Sequence, residues 1–132
     1  MDSLSKYIFE TAGEDWVYGF SDCAPWVLRW VTRASGKTAP LDVYSSRAES
    51  LKILREAGGM VPLFARYAGK LELHETSDPI RGDVAVVPMK QALTGLVGAV
   101  ALGGGNWAAK MSTRSVAIVS VDSIVAWSVP HV

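Results

Sequence analysis

Hydrophobic and polar positions divide the chain into a helical first half and a β-rich second half. The most apolar segment is expected to be a helix that begins after an N-cap at Ser21 or Asp22 and ends at Gly36. Apolar side chains cover most of its circumference, which is typical of a buried helix. The cap oxygen is expected to accept from an unpaired first-turn amide, and glycine suits the left-handed residue that ends many helices.

Three shorter helices are predicted around this buried one. They are expected at Ser3–Ala12, from Ser46 to the pair Gly58-Gly59, and at Val61–Ala68. Ser46 and Glu49 have the spacing of a capping box, and Gly69 is expected to end the last helix. Two connectors flank the buried helix: an aromatic loop from Glu14 to Ser21 that includes Phe20, and the segment Lys37–Val43 with Pro40.

Short apolar segments separated by glycine and polar turns follow in the second half. They predict strands at Asp83–Pro88, Leu96–Leu102, Asn106–Lys110, Ser115–Val121 and Ile124–Val129. Gly103-Gly104-Gly105 is expected to be a hairpin turn, and a further turn is expected near Asp122-Ser123. Helices first and strands second predict an α+β fold, a single domain over 1–132, with N-terminal helices packed on a C-terminal antiparallel β-sheet arranged as a meander.

Composition excludes several classes of function. Of 132 residues, 49% are hydrophobic and 20% charged, and the formal net charge is zero, so a compact domain without nucleic-acid binding by bulk charge is expected. The longest apolar run, Leu96–Leu102, is too short to span a membrane, and we expect no secretory signal. The carboxylates are scattered, so neither a metal nor a cofactor is expected.

The only cysteine, Cys23, is the first candidate for chemistry. As a small buried residue it would be inert, whereas at a helix N-terminus the dipole would favour the nucleophilic thiolate. Position alone leaves both interpretations open. Catalysis would also need a base, and neither His74, among charged residues, nor His131, near the end of the sequence, suggests a pairing with Cys23.

The residues around Cys23 also resemble a segment of a known family. The pattern Trp16-x-x-Gly19-x-x-Asp22-Cys23, followed by an apolar helix, resembles the nucleophile segment of NlpC-type, papain-like cysteine peptidases, which cut peptide links in bacterial cell walls. The chain also resembles small phage and prophage tail proteins related to those peptidases. That likeness includes Tyr44-Ser45, the Leu51-x-x-Leu54-x-x-x-Gly58-Gly59 helix end, the Gly82-Asp83 strand and Ala126-Trp127. The resemblance implies an NlpC/papain-like domain, with Cys23 as candidate nucleophile and Asp22 in support.

One position departs from the peptidase pattern. In those enzymes the base histidine begins the second core strand, before an apolar-glycine-apolar stretch, and here that place falls at Leu96, before Val97-Gly98-Ala99. Leucine cannot take a proton, so the resemblance implies a degenerate active site. The third polar residue of such sites would fall between Asn106 and Lys110.

Three hypotheses follow. The first is a structural or assembly component of a phage tail tip, made in the bacterial host cytoplasm, located in the virion tail and bound to other tail proteins. The second is an active cell-wall peptidase that uses Cys23, with peptidoglycan as substrate and a histidine brought from elsewhere. The third is an unrelated small α+β binding module. Leu96 favours the first over the second.

Overall fold

A computed structural model describes residues 1–19, 22–38, 42–92 and 94–131. Within these residues the helices are α1 Ser3–Thr11, α2 Cys23–Ser35, α3 Arg47–Ala57 and α4 Met60–Lys70. The strands are β1 Val84–Pro88, β2 Leu96–Gly103, β3 Asn106–Met111, β4 Ser115–Ser120 and β5 Val125–Trp127. The predicted α+β class and the antiparallel sheet are confirmed. Phe20, Ser21 and Pro40, which the predicted connectors and cap include, lie outside the described residues.

The helix α2 is the centre of the fold, as its sequence predicts. Trp26 and Trp30 are both 0% exposed, and their indole nitrogens donate to Thr11 Oγ1 and to the Gly82 carbonyl at 2.8 Å each. The Tyr7 hydroxyl of α1 donates to the Trp26 carbonyl. Each buried ring therefore keeps a polar partner, so that burial leaves no indole N–H unsatisfied.

The sheet departs from a simple meander at its last strand. Strands β1 to β4 follow one another, but β5 pairs with β1, which gives the order β4-β3-β2-β1-β5. The predicted turn near Asp122-Ser123 therefore does not join neighbouring strands. The connection from Ser120 to Val125 crosses from one edge of the sheet to the other. Its five Cα–Cα steps span about 18 Å when the chain is fully extended. Because five flat strands would span about 19 Å, the sheet must curl.

Curling buries both faces of the sheet. One face of β1 and β2, with Val84, Val86 and Val100, packs against the helices. The other face is rich in alanine, including Ala85, Ala99 and Ala109 around Trp107. Side chains alternate between the two faces along each strand, so the sheet separates two apolar cores.

Two predicted helix details need correction. Gly69 does not end α4, which continues to Lys70, because the Leu71 amide still donates to the Tyr67 carbonyl at 3.0 Å and Leu71 is buried in the core. That tertiary anchoring outweighs the helix cost of one glycine, about 1 kcal/mol. At α3, Ser46 Oγ accepts from the Glu49 amide at 3.1 Å as predicted. The Glu49 carboxylate accepts from the hydroxyl of Ser46 instead of its amide, so only half of the capping box forms.

Candidate functional site

Cys23 occupies the first position of α2, as predicted, and faces the middle of β2. The backbone amide of Gly98 in β2 interacts with the thiol. A β-carbon at Gly98 would lie 2.2 Å from Phe64 Cζ, so only glycine lets the ring of α4 pack on this part of β2. Tight packing therefore holds α4 against the strand that Cys23 faces.

A cleft of about 380 Å³ opens beside Cys23. Its lining includes Trp16 and Tyr18 of the aromatic loop, whose rings make a T-shaped contact at 6.3 Å. Side chains from α3, from the β1–β2 connection and from the end of β3 complete it. Methionine is prominent in this lining, with Met60, Met89 and Met111. The cleft is thus largely apolar, and Cys23 lies in its wall.

Leu96 lines the same cleft as Cys23. It shares a strand face with Gly98 and Val100, since side chains two residues apart point to the same side of a strand. That face packs against the helices. The place where the resemblance expects a base histidine is therefore beside the cysteine, and a leucine fills it.

Lys110 is at the end of the range Asn106 to Lys110, in which the resemblance expects a third polar residue. It is 1% exposed, and its Nζ donates to the Glu14 carbonyl at 2.9 Å and the Met111 carbonyl at 3.2 Å. Burial lowers the pKa of its ammonium group. It lines the cleft with Cys23, whereas Asn106, the other end of the range, is exposed at the β2–β3 turn. The sequence does contain a signal for this residue, which is a lysine within an otherwise apolar strand. A lysine is rarely buried without partners, so such a position indicates a buried polar contact.

The surroundings of the Cys23 thiol oppose its ionisation. Burial, helped by the negative charge of Asp22, raises its pKa to about 11, although the Gly98 amide acts in the opposite direction. Of the two interpretations that position leaves open, this direction favours the inert one, because desolvation disfavours the charged form.

Asp22 is the N-cap residue of α2, but it does not cap the helix in the predicted way. Its carboxylate accepts from the Gly19 amide at 2.9 Å and from the Tyr44 hydroxyl at 2.5 Å, and no first-turn amide of α2 donates to it. Burial raises its pKa, against the effect of both hydrogen bonds. The side chain ties the loop before α2 to Tyr44, and so supports the position of Cys23.

Neither histidine of the chain, both in the described part, lines the cleft. His74 is exposed, and its backbone carbonyl accepts from the Ser128 amide beside β5. The His131 ring contacts Trp30 edge-on at 5.9 Å between centroids. Trp30 is seven residues after Cys23, about 10 Å along the helix. The structure therefore brings Cys23, Leu96 and Lys110 together, and leaves both candidate bases away from the sulfur.

A larger groove, of about 610 Å³, lies between α1 and α2. Its charged side chains pair with one another, Arg29 with Glu14 at 2.8 Å and Arg33 with Glu10 at 2.7 Å. These pairs stabilise the packing of the two helices and supply no reactive group. The cleft at Cys23 is the better candidate site.

Among the described residues, no three or more histidine, cysteine, aspartate or glutamate side chains cluster in a way that could hold a metal ion. No described helix is both long enough and apolar enough to cross a lipid bilayer.

Comparisons with known proteins identify one family. Residues 1–129 match a domain of unknown function, DUF6950. Neither the curated proteins nor the solved structures contain a match to the chain. Because the match spans nearly the whole sequence, the chain belongs to the DUF6950 family.

Proposed function

We propose that this protein is a structural or assembly component of a phage tail, at the tail tip, with an NlpC-like, papain-like domain that has lost catalysis. The observation that carries the proposal is the pairing of Cys23 with Leu96 in one cleft. A cysteine peptidase needs a base that removes the thiol proton and later protonates the leaving amine. Leucine does neither.

The other groups around the sulfur do not replace that base. Lys110 carries only donors while it is protonated, and two backbone carbonyls engage its Nζ. Asp22 accepts from the Gly19 amide and the Tyr44 hydroxyl, and a carboxylate is too weak a base to deprotonate a thiol with a pKa near 11. A thiol with a pKa near 11 thus has no described neighbour that would take its proton at neutral pH.

The tail assignment rests on the sequence resemblance to phage and prophage tail proteins. The protein would be made in the host cytoplasm and would act in the virion tail, bound to other tail proteins. The test is mass spectrometry of purified phage particles, with affinity capture of the tagged chain from the induced host as a second measurement. We expect the chain in tail-tip fractions at a fixed ratio to other tail proteins. Recovery only as a free protein, absent from particles, would contradict the proposal.

A second candidate function is binding of cell-wall peptide without cleavage, which the open cleft beside Cys23 favours. Trp16 and Tyr18 in its wall are side chains that stack readily on ligands. Titration with purified murein peptide, followed by tryptophan fluorescence, should give a saturable change that Trp16→Ala abolishes. An unchanged titration in Trp16→Ala would remove this candidate.

A further inference from the structure

The two edge strands of the sheet differ in whether other backbone segments hydrogen-bond to their outer side. At the β5 edge, the segment around Glu75 adds a bridge to Trp127, the Thr76 amide donates to the Ala126 carbonyl, and the Ser128 amide donates to the His74 carbonyl. At the β4 edge, the backbone hydrogen bonds within the described residues all go to β3. One edge is covered, and the other presents unpaired backbone donors and acceptors.

The open edge also lacks the usual protection against pairing. Strand β4 reads Ser-Val-Ala-Ile-Val-Ser, without a charge or a proline. Proteins commonly protect such edges with charged residues, prolines or bulges. Ile118, in the middle of the strand, is 68% exposed. It is on the helix side of the sheet, opposite Ala108, but α2 packs mainly over β2 and β3 and leaves it exposed.

The strand is complementary to a second copy of itself. If two β4 strands pair antiparallel about a two-fold axis at Ile118, the two isoleucines lie opposite each other. On the opposite face, Ala117 then lies opposite Val119 of the other copy, a small side chain against a larger one. The register therefore places apolar residues opposite apolar residues in the middle of the strand.

We propose that two copies of this chain associate through β4, in antiparallel register centred on Ile118, to form one continuous ten-stranded sheet. A two-fold pairing of this kind uses the same surface on both subunits, so the edge of each copy is closed by the other. The inference does not depend on what the Cys23 cleft does.

The first test measures the oligomeric state of the full chain by sedimentation velocity from about 1 to 100 µM, the range where a small interface is expected to dissociate. The wild type should shift from monomer to dimer. Ile118→Lys should weaken the association by at least about tenfold, since it places two like charges opposite each other. Ile80→Lys is the matched control, because Ile80 is equally exposed, at 67%, in the turn before β1. It should dimerise as the wild type does.

The second test fixes the register by disulfide cross-linking in a Cys23→Ser background. Opposite residues in antiparallel strands have Cα atoms about 4.5 or 5.5 Å apart, within the range of a disulfide. Ile118→Cys should therefore give a covalent dimer on mild oxidation, whereas Ser120→Cys, two residues off the axis, should not. Folding of each variant is checked by circular dichroism.

Several outcomes overturn the proposal. They are a wild-type chain that stays monomeric at 100 µM, equal weakening by Ile118→Lys and Ile80→Lys, or equal cross-linking at positions 118 and 120. A monomeric chain whose Ile118→Lys variant is lost from purified tails would assign the edge to a strand of another tail protein instead.

Discussion

The two ends of α2 differ in what surrounds them. At the Trp30 end, the indole donates to the Gly82 carbonyl, the His131 ring packs against it, and the buried Asp83 accepts from the Ile80 and Val129 amides. At the Cys23 end, a cleft of about 380 Å³ reaches the helix, and Leu96 lines it together with Cys23. The helix is a core element along most of its length, and its first turn borders the apolar cleft at Cys23.

This difference shows that a cysteine at a helix N-terminus is not by itself evidence of a nucleophile. The dipole favours the thiolate there, but burial and the nearby Asp22 raise the thiol pKa to about 11. A nucleophile needs both a suitable position and a partner for its proton. Here the position is present, and the partner is absent from the described surroundings of the sulfur.

The largest loss of stability is expected at the Trp30 end of α2. Trp30→Ala removes a fully buried ring and its hydrogen bond to Gly82, and should lower the free energy of unfolding by about 3–5 kcal/mol. Urea denaturation measures it. Trp16→Ala is the matched control and should cost clearly less, because Trp16 is only half-buried in the cleft wall. Equal losses in the two variants would contradict the contrast between the two ends.

An intermediate effect is expected where the two regions meet. Gly98→Ala would drive its β-carbon into the Phe64 ring, and should lower the free energy of unfolding by about 1–3 kcal/mol through overpacking. Gly69→Ala is the control in the same chain, because a β-carbon there meets nothing within 4 Å and the residue is helical. It should stabilise by about 0.5–1 kcal/mol. A neutral Gly98→Ala would mean that Phe64 does not pack on β2 as described.

A smaller effect concerns the reactivity of Cys23. Its pKa of about 11 lies above that of a free thiol, so the thiolate fraction at pH 7 should be near one in ten thousand, against about 3% for a free cysteine. The rate of alkylation by iodoacetamide should therefore keep rising with pH up to about pH 11. A cysteine placed on the surface by Ile80→Cys, in a Cys23→Ser background, should reach its plateau about two pH units earlier. A Cys23 midpoint below pH 8 would show an activated thiol.

Much of the fold could be predicted from the sequence, because its signals are local. The apolar circumference of α2, the left-handed Gly36 at its end and the alternation in the strands each depend on residues close together in the chain. The pairing of β5 with β1 could not be predicted, since it depends on the curl of the whole sheet. The continuation of α4 through Gly69 depends likewise on the distant core that buries Leu71.

The site could be predicted less completely. The place of Cys23 on its helix is a local property, and Leu96 beside it came from the resemblance. The pKa of the thiol depends on burial and on Asp22, and the role of Lys110 depends on a carbonyl 96 residues away in sequence. Such effects appear only when the chain is folded, so a motif can identify a position without determining its chemistry.

The most direct test of the central claim is a digest of purified murein by the wild type, Cys23→Ser and Leu96→His. We expect no release of peptide fragments by the wild type above the level of Cys23→Ser, because the acid–base help that a histidine supplies, typically about 10²–10⁴-fold, is missing. Activity gained only in Leu96→His would strengthen the account, since it would restore the base at its expected place. Fragments released by the wild type and lost in Cys23→Ser would contradict it, and would require a base for Cys23 other than the groups described around it.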